Sequence, residues 1–250
     1  MEGPSLFLAA EQLQPFVGRV IKKVSGNTKI GKERLEKKKI LSIFSYGKYL
    51  FFQFDTFALR VHFMLYGSFQ ATVKNIKVTG DYPTKNRAPR LALEMSNGHI
   101  EMYSCSVRYI EDSHARDSCD YSIDIMSDQW NAKKALAKMR KEVGSEIADV
   151  LLDQTIFLGV GNIIKNETLL QAGIAPQTKV RKLSEAKLKE LIQIVRDYVF
   201  QFYEWRKIFE LKKHYQVYRQ SFCKVCGGKV SRKKTGQRNR VSFICTHCEK

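Results

Sequence analysis

The sequence predicts an α+β chain in three parts: a short helix leading into a β domain, then a helical domain, then a small cysteine module. Three observations carry this. Between residues 18 and 125, β-branched and aromatic runs alternate with turn signals. Near residue 126 the texture changes, and apolar residues begin to recur at helical spacing. The last part is polar, basic and punctuated by two Cys-x-x-Cys pairs. The boundaries read from these changes are 1–125, 126–215 and 216–250.

Residues 4–17 read as a helix. Pro4 suits its first position, Leu6, Ala10, Leu13 and Val17 share a face, and Gly18 ends it. Tyr49 to Phe54 and Leu59 to Phe63 read as strands around Asp55-Thr56. Leu91, Leu93 and Met95 alternate up to Asn97-Gly98, and Ile100 and Met102 resume the alternation, which is a hairpin signal. The basic stretch Lys85 to Arg90, with Pro83 and Pro89, reads as a loop. From Asp128, the residues Leu136, Met139, Val143, Ile147 and Val150 fall on one helical face. Gly144-Ser145 is expected to split them into two helices, with Ser145 capping the second. Asn162 to Ala172, closed by Gly173, and Ser184 to Phe209 read as further helices.

With 250 residues, 27% charged and 44% hydrophobic, the chain can bury a core without disulfides. The net charge is +18 and the isoelectric point is near 9.6. Residues 205–250 hold 13 of the 43 Lys/Arg and two of the 25 acids, so +11 of the charge sits there. Such concentration points to a polyanionic partner, nucleic acid before membrane. No apolar run approaches the roughly 20 residues of a bilayer span. The run Leu6 to Ala10 is short and has no preceding basic residue, so it does not read as a secretory signal.

Cys223-x-x-Cys226 and Cys245-x-x-Cys248 have the spacing of a four-cysteine zinc ribbon. Each pair offers two thiolates to one tetrahedral ion, and the segment has few apolar residues, so one structural zinc is expected to supply much of its folding energy. Four thiolates leave no open position for catalysis. Between the pairs, Lys233, Lys234, Arg238 and Arg240 surround Gly236, a turn suited to phosphate. Leu151-Leu152-Asp153-Gln154 and Gly159-Val160-Gly161-Asn162 form a glycine turn into a helix N-terminus. That arrangement suits either a bound phosphate or a tight connection with no ligand.

Taken in order, Glu2-Gly3-Pro4, Gly47-Lys48-Tyr49-Leu50, the Leu151–Asn162 segment and a ribbon with Arg240 before its third cysteine resemble the formamidopyrimidine-DNA glycosylase and endonuclease VIII (Fpg/Nei) family. The resemblance runs from residue 2 to residue 248. It implies an N-terminal β-sandwich with a leading helix, a helical domain with a helix-two-turn-helix motif, and a C-terminal zinc ribbon, with damaged DNA in the cleft between domains. It implies base flipping, removal of an oxidised base and strand nicking, in the setting of base excision repair. Carried over, Glu2 matches the catalytic acid and Lys48 the lysine of the β domain. Asn162 matches the phosphate-binding asparagine and Arg240 the finger arginine, with Arg238 as a nearby alternative. Leu65 stands where the family usually has a methionine that fills the gap left by the flipped base; a buried core leucine is the other reading.

Three departures modify the expectation. The family usually begins Met-Pro-Glu and uses the proline amine as nucleophile, whereas here Glu2 follows Met1 directly. Val107-Arg108-Tyr109 is the nearest match to the family's arginine-rich segment. The stretch Phe202 to Phe222 is short for a capping loop over oxidised purines, so oxidised pyrimidines or ring-opened lesions are at least as well supported. The amine of Met1 is the expected nucleophile. With reference pKa values of about 7.7–8.0 and about 10.4, roughly a tenth of an α-amine is neutral at pH 7, against about 0.04% of a lysine. The expectation is a bifunctional glycosylase and abasic-site lyase. It would act as a monomer on damaged DNA, in the cytoplasm or nucleoid, or in the nucleus of a eukaryote. The rivals are an inactive damage-binding relative and a zinc-ribbon nucleic-acid-binding module.

Overall fold

The computed structural model describes all 250 residues. The chain forms two compact units, Met1–Cys119 and Asp120–Lys250. The ribbon lies in one unit with the helices.

The first unit opens with α1 (Gly3–Gln12), which has Pro4 in its first turn and runs into a 3-10 turn at Gln14–Phe16. The predicted helix is thus shorter and its last turn tighter, with Gly18 in the left-handed region at φ 79°. Leu6, Ala9, Ala10 and Leu13 are fully or almost fully buried in the β core.

The strands of this unit are β1 (Lys23–Ser25), β2 (Ser42–Tyr46), β3 (Tyr49–Gln53), β4 (Ala58–Val73), β5 (Ile76–Thr79), β6 (Leu91–Met95) and β7 (Gly98–Ile110). They form one antiparallel sheet in the order β1-β6-β7-β4-β3-β2, with β5 on β4. The two long strands pair twice. Ala58–Phe63 runs against Cys105–Ile110, and Ser68–Val73 against Gly98–Tyr103, with a register break between. The first half of β4 also pairs β3, and the second half pairs β5. The sheet therefore folds over at the break. Leu50, Phe52, Leu59 and Val61 from one half share a core with Phe69, Leu93, Ile100 and Met102 from the other, which is a β-sandwich. Strand β4 is longer than its alternation suggests because Met64 to Gly67 interrupt the pattern at the break.

The second unit contains α2 (Ala132–Met139), α3 (Ile147–Leu151), α4 (Asn162–Ala172), α5 (Glu185–Lys207) and a ribbon hairpin of β8 (Val230–Thr235) and β9 (Arg240–Cys245). Asn131 caps α2 by accepting from the Lys134 N–H, and Ser184 caps α5 by accepting from that of Lys187. The expected Ser145 cap is corrected. The residue before α3 is Glu146, and the Ser145 hydroxyl donates to Glu142 instead. Helix α4 spans the predicted residues and ends on Gly173 at φ 66°.

Candidate nucleic-acid and catalytic site

Of the candidate residues in the first unit, Lys48 lies at the turn from β2 to β3 and Leu65 at the break in β4. Glu2 is buried and sits before α1, where its carbonyl accepts the N–H groups of Ser5 and Leu6. Gly47, at φ 54°, lets the β2–β3 turn close and sets Lys48 at its end. Register then places Tyr49 opposite His62. The His62 Nδ1–H donates to the Lys48 carbonyl at 3.2 Å, which leaves Nε2 as an acceptor in the neutral ring. Burial is the main cause lowering the His62 pKa, and the positive charges of the N-terminal amine, Lys48 and Arg60 push it down further. Met1 packs against the β core. The terminal amine and Lys48, 47 positions apart in sequence, therefore act on one half-buried imidazole. His62 was not singled out from the sequence. Its alternation within a strand reads as an ordinary partly buried position, and only the register of β3 on β4 reveals it.

Leu65 lies at the break in β4, where Met64, Leu65 and Tyr66 are 56%, 70% and 52% exposed. A buried core leucine is thereby ruled out. Tyr66 has a φ of 60° and meets the Tyr82 ring edge-on at 5.5 Å. Gly67 permits the fold-over, because a Cβ there would lie 2.7 Å from the Ser104 carbonyl. Val107-Arg108-Tyr109, the nearest match to the arginine-rich segment, lies within the β7 ladder, with Arg108 opposite Arg60.

In the second unit the glycine turn is organised by Gln154. Its amide donates to the carbonyls of Leu152 and Val160 and accepts from the Gly159 N–H, which sets Asn162 at the start of α4. The Asn162 side-chain amide donates to the Val241 carbonyl of β9 at 3.0 Å, while its Oδ1 is buried without a partner. One turn on, Lys165 is fully buried and donates to Ser242 Oγ at 2.7 Å. The Asn166 Oδ1 accepts the Phe243 N–H, and the Glu167 carboxylate accepts three N–H groups, from Gln216, Val217 and Tyr218. This run of buried polar residues locks the ribbon to α4. It too went unread in the sequence, because Lys-Asn-Glu on a helix reads as a solvated face.

The hairpin tip is tied to the end of α3 by acids. The N–H of Gly236 donates to Glu146, and those of Gln237 and Arg238 donate to Asp149. The Arg238 guanidinium pairs with Asp153 at 3.2 Å. Arg240 is exposed next to this tip and has no acidic partner. Of the two arginines, Arg240 is the one whose charge remains available to a phosphate.

The four thiol sulfurs of Cys223, Cys226, Cys245 and Cys248 lie within 4.8 Å of one another. A tetrahedral thiolate site with metal–sulfur bonds near 2.3 Å needs sulfurs about 3.8 Å apart, so the cluster can hold one metal ion with little adjustment. Gly227, at φ 74°, closes the first turn. Beneath the cluster, Leu170, Val217, Val230 and Phe243 form a small apolar core with Cys223 and Cys245. No helix of the chain is long and apolar enough to cross a membrane.

A bent β-sandwich with a leading helix, a helical region and a four-thiol ribbon together define the architecture of the Fpg-type DNA glycosylases. Residues 122–201 match the model of the formamidopyrimidine-DNA glycosylase H2TH domain. Human endonuclease 8-like 3 is 34% identical over 208 residues, which cover 82% of this chain and 33% of that protein. Bovine endonuclease 8-like 2 is 31% identical over 202 residues, 76% of this chain and 58% of that protein. The chain thus spans about a third of the length of the first of these relatives. Among solved structures, the Lactococcus lactis formamidopyrimidine DNA glycosylase bound to DNA with an abasic site superposes with a TM-score of 0.83 at 21% identity, covering 100% of both chains. A viral DNA glycosylase gives 0.81 at 22% identity, also over 100% of both chains. The chain carries the H2TH domain of the formamidopyrimidine-DNA glycosylases at residues 122–201, is similar to endonuclease 8-like proteins over most of its length, and has the Fpg-type fold.

Proposed function

We propose that this protein is a base excision repair glycosylase that removes oxidised bases from DNA and then cleaves the abasic site as a lyase. The observation that carries the reading is the placement of Lys48 at the end of the β2–β3 turn, its carbonyl bonded to His62, on the unit that also holds the buried Glu2 and the exposed Leu65. In this reading the Met1 amine attacks the sugar C1′. The N–C1′ bond forms as the glycosidic bond breaks, and the base leaves with the proton that the amine sheds. Glu2 gives a proton to the ring oxygen as the C1′–O4′ bond opens. The imine then acidifies the C2′ proton, and its loss expels the 3′ phosphate. A primary-amine imine can also lose its N–H proton, which favours a single β-elimination. Lys48 holds the phosphate beside the target, and Leu65 fills the space left by the flipped base.

Asn162 and Arg240 hold the backbone phosphates, and Arg238 positions the tip through Asp153. One zinc ion on the four cysteines supplies the folding energy of the ribbon and takes no part in the chemistry. The partner is damaged DNA bound by a monomer, in the nucleoid or nucleus. A strand-nicking assay on an oligonucleotide with one abasic site tests this reading. Nicking that is lost in Glu2→Gln supports it. Tight abasic-site binding without nicking would instead identify a damage-binding protein without chemistry, a second reading favoured by the absence of proline after Met1.

A further inference from the structure

The metal-ligand end of the ribbon carries a second concentration of positive charge, away from the hairpin tip. Lys213 lies in a 3-10 turn at Leu211–His214, and Lys224 in the first cysteine turn donates to its carbonyl at 2.9 Å. The Lys224 N–H donates to the Gln216 carbonyl, and Phe222 forms a β-bridge with Lys229. Lys213, Phe222, Lys224 and Lys229 therefore belong to one continuous surface, and all four are exposed. Glu210 pairs with Lys213, but Lys224 and Lys229 have no carboxylate partner. Strand β8 separates this surface from the tip. Its six residues at about 3.3 Å each place the two ends roughly 17 Å apart.

Phe222 is 64% exposed in the middle of these cations, and Val225 is 66% exposed beside it. A lysine face that is only solvated has no use for an uncovered phenyl ring. Lysines that neutralise phosphates around a ring that can stack on a base are the two parts of a single-strand binding surface. A duplex would hide its base faces from Phe222, whereas an unpaired strand presents them. We infer that the metal-ligand end of the ribbon is a second nucleic-acid surface, which takes an unpaired DNA strand by stacking a base on Phe222 and holding its phosphates with Lys224 and Lys229.

The test uses the full chain and an undamaged, labelled 20-nucleotide oligo-dT, followed by anisotropy over a range of salt. For the pair Lys224→Gln and Lys229→Gln, the slope of log K against log salt should fall by roughly 0.7 per lysine, about 1.4 together. Phe222→Ala should weaken binding by roughly fivefold or more at an unchanged slope. Phe222→Trp should retain the affinity. All of these variants should keep the parent's metal content and its rate on a blunt abasic duplex. Because that duplex is read separately, a failure of the lyase reading leaves this result interpretable. Parent-like oligo-dT binding by the folded Phe222→Ala and lysine variants would overturn the inference. So would an equal loss of affinity for the blunt duplex, which would make the surface a duplex contact.

Discussion

Arg240 and Arg238 stand two positions apart on one hairpin, yet their surroundings separate them. Arg238 is spent on Asp153, while Arg240 faces solvent without an acid. Arg240→Ala should therefore lower the salt slope of duplex binding by about 0.9 and cut nicking strongly. Salt titrations of binding should show a smaller slope change for Arg238→Ala. Leu65 makes an opposite kind of prediction. At 70% exposure its truncation to alanine should leave unfolding within about 0.5 kcal/mol of the parent. Turnover on a damaged duplex should fall, since in the proposed role the side chain acts only when a base is flipped. His62 supplies the pH dependence. Its folded pKa lies below the ordinary 6.5, so below that pH the unfolded chain binds the proton first and stability falls as the solution is acidified. An NMR titration of the imidazole should place the midpoint below 6.5. The midpoint should rise in Lys48→Met, which removes one of the charges that depress it.

At the scale of elements, the hairpin tip is set by backbone conformation as much as by charge. Gly236 has a φ of 66°, and a Cβ there would lie 2.2 Å from Asp149 Oδ1. Gly236→Ala must strain the turn or undock it, at a cost of about 1–3 kcal/mol. It should weaken DNA binding while elemental analysis still finds about one zinc per molecule, because the four thiolates lie at the other end of the hairpin. Metal loss alongside the affinity loss would mean that tip and metal centre fold as one. The helices and hairpins around this site were legible in the sequence where local rules decide them. The Asn162–Gly173 helix with its glycine stop, the strands flanking Asn97-Gly98 and the paired cysteines are examples. Ser145 as a cap was misread because Glu146 stands between it and the helix, and its hydroxyl found Glu142.

What the whole molecule decides is hidden from local reading. The buried Lys165, Asn166 and Glu167 look like a solvent face until the ribbon covers them. His62 comes beside Lys48 only through strand register, and Leu65 is exposed only because β4 breaks where the sheet folds over. The motifs at Glu2, Lys48, Asn162 and Arg240 were legible as an ordered set, and the likeness to the Fpg/Nei family now rests on domain, relatives and fold together. The chemistry they are proposed to perform turns on one amine. Borohydride trapping on abasic DNA tests it most directly, using protein whose first residue has been confirmed as Met1 and with the cross-linked peptide mapped. The account predicts a covalent adduct on the Met1 amine that persists in Lys48→Ala. An adduct only on Lys48, or none despite tight binding to the abasic site, would contradict it.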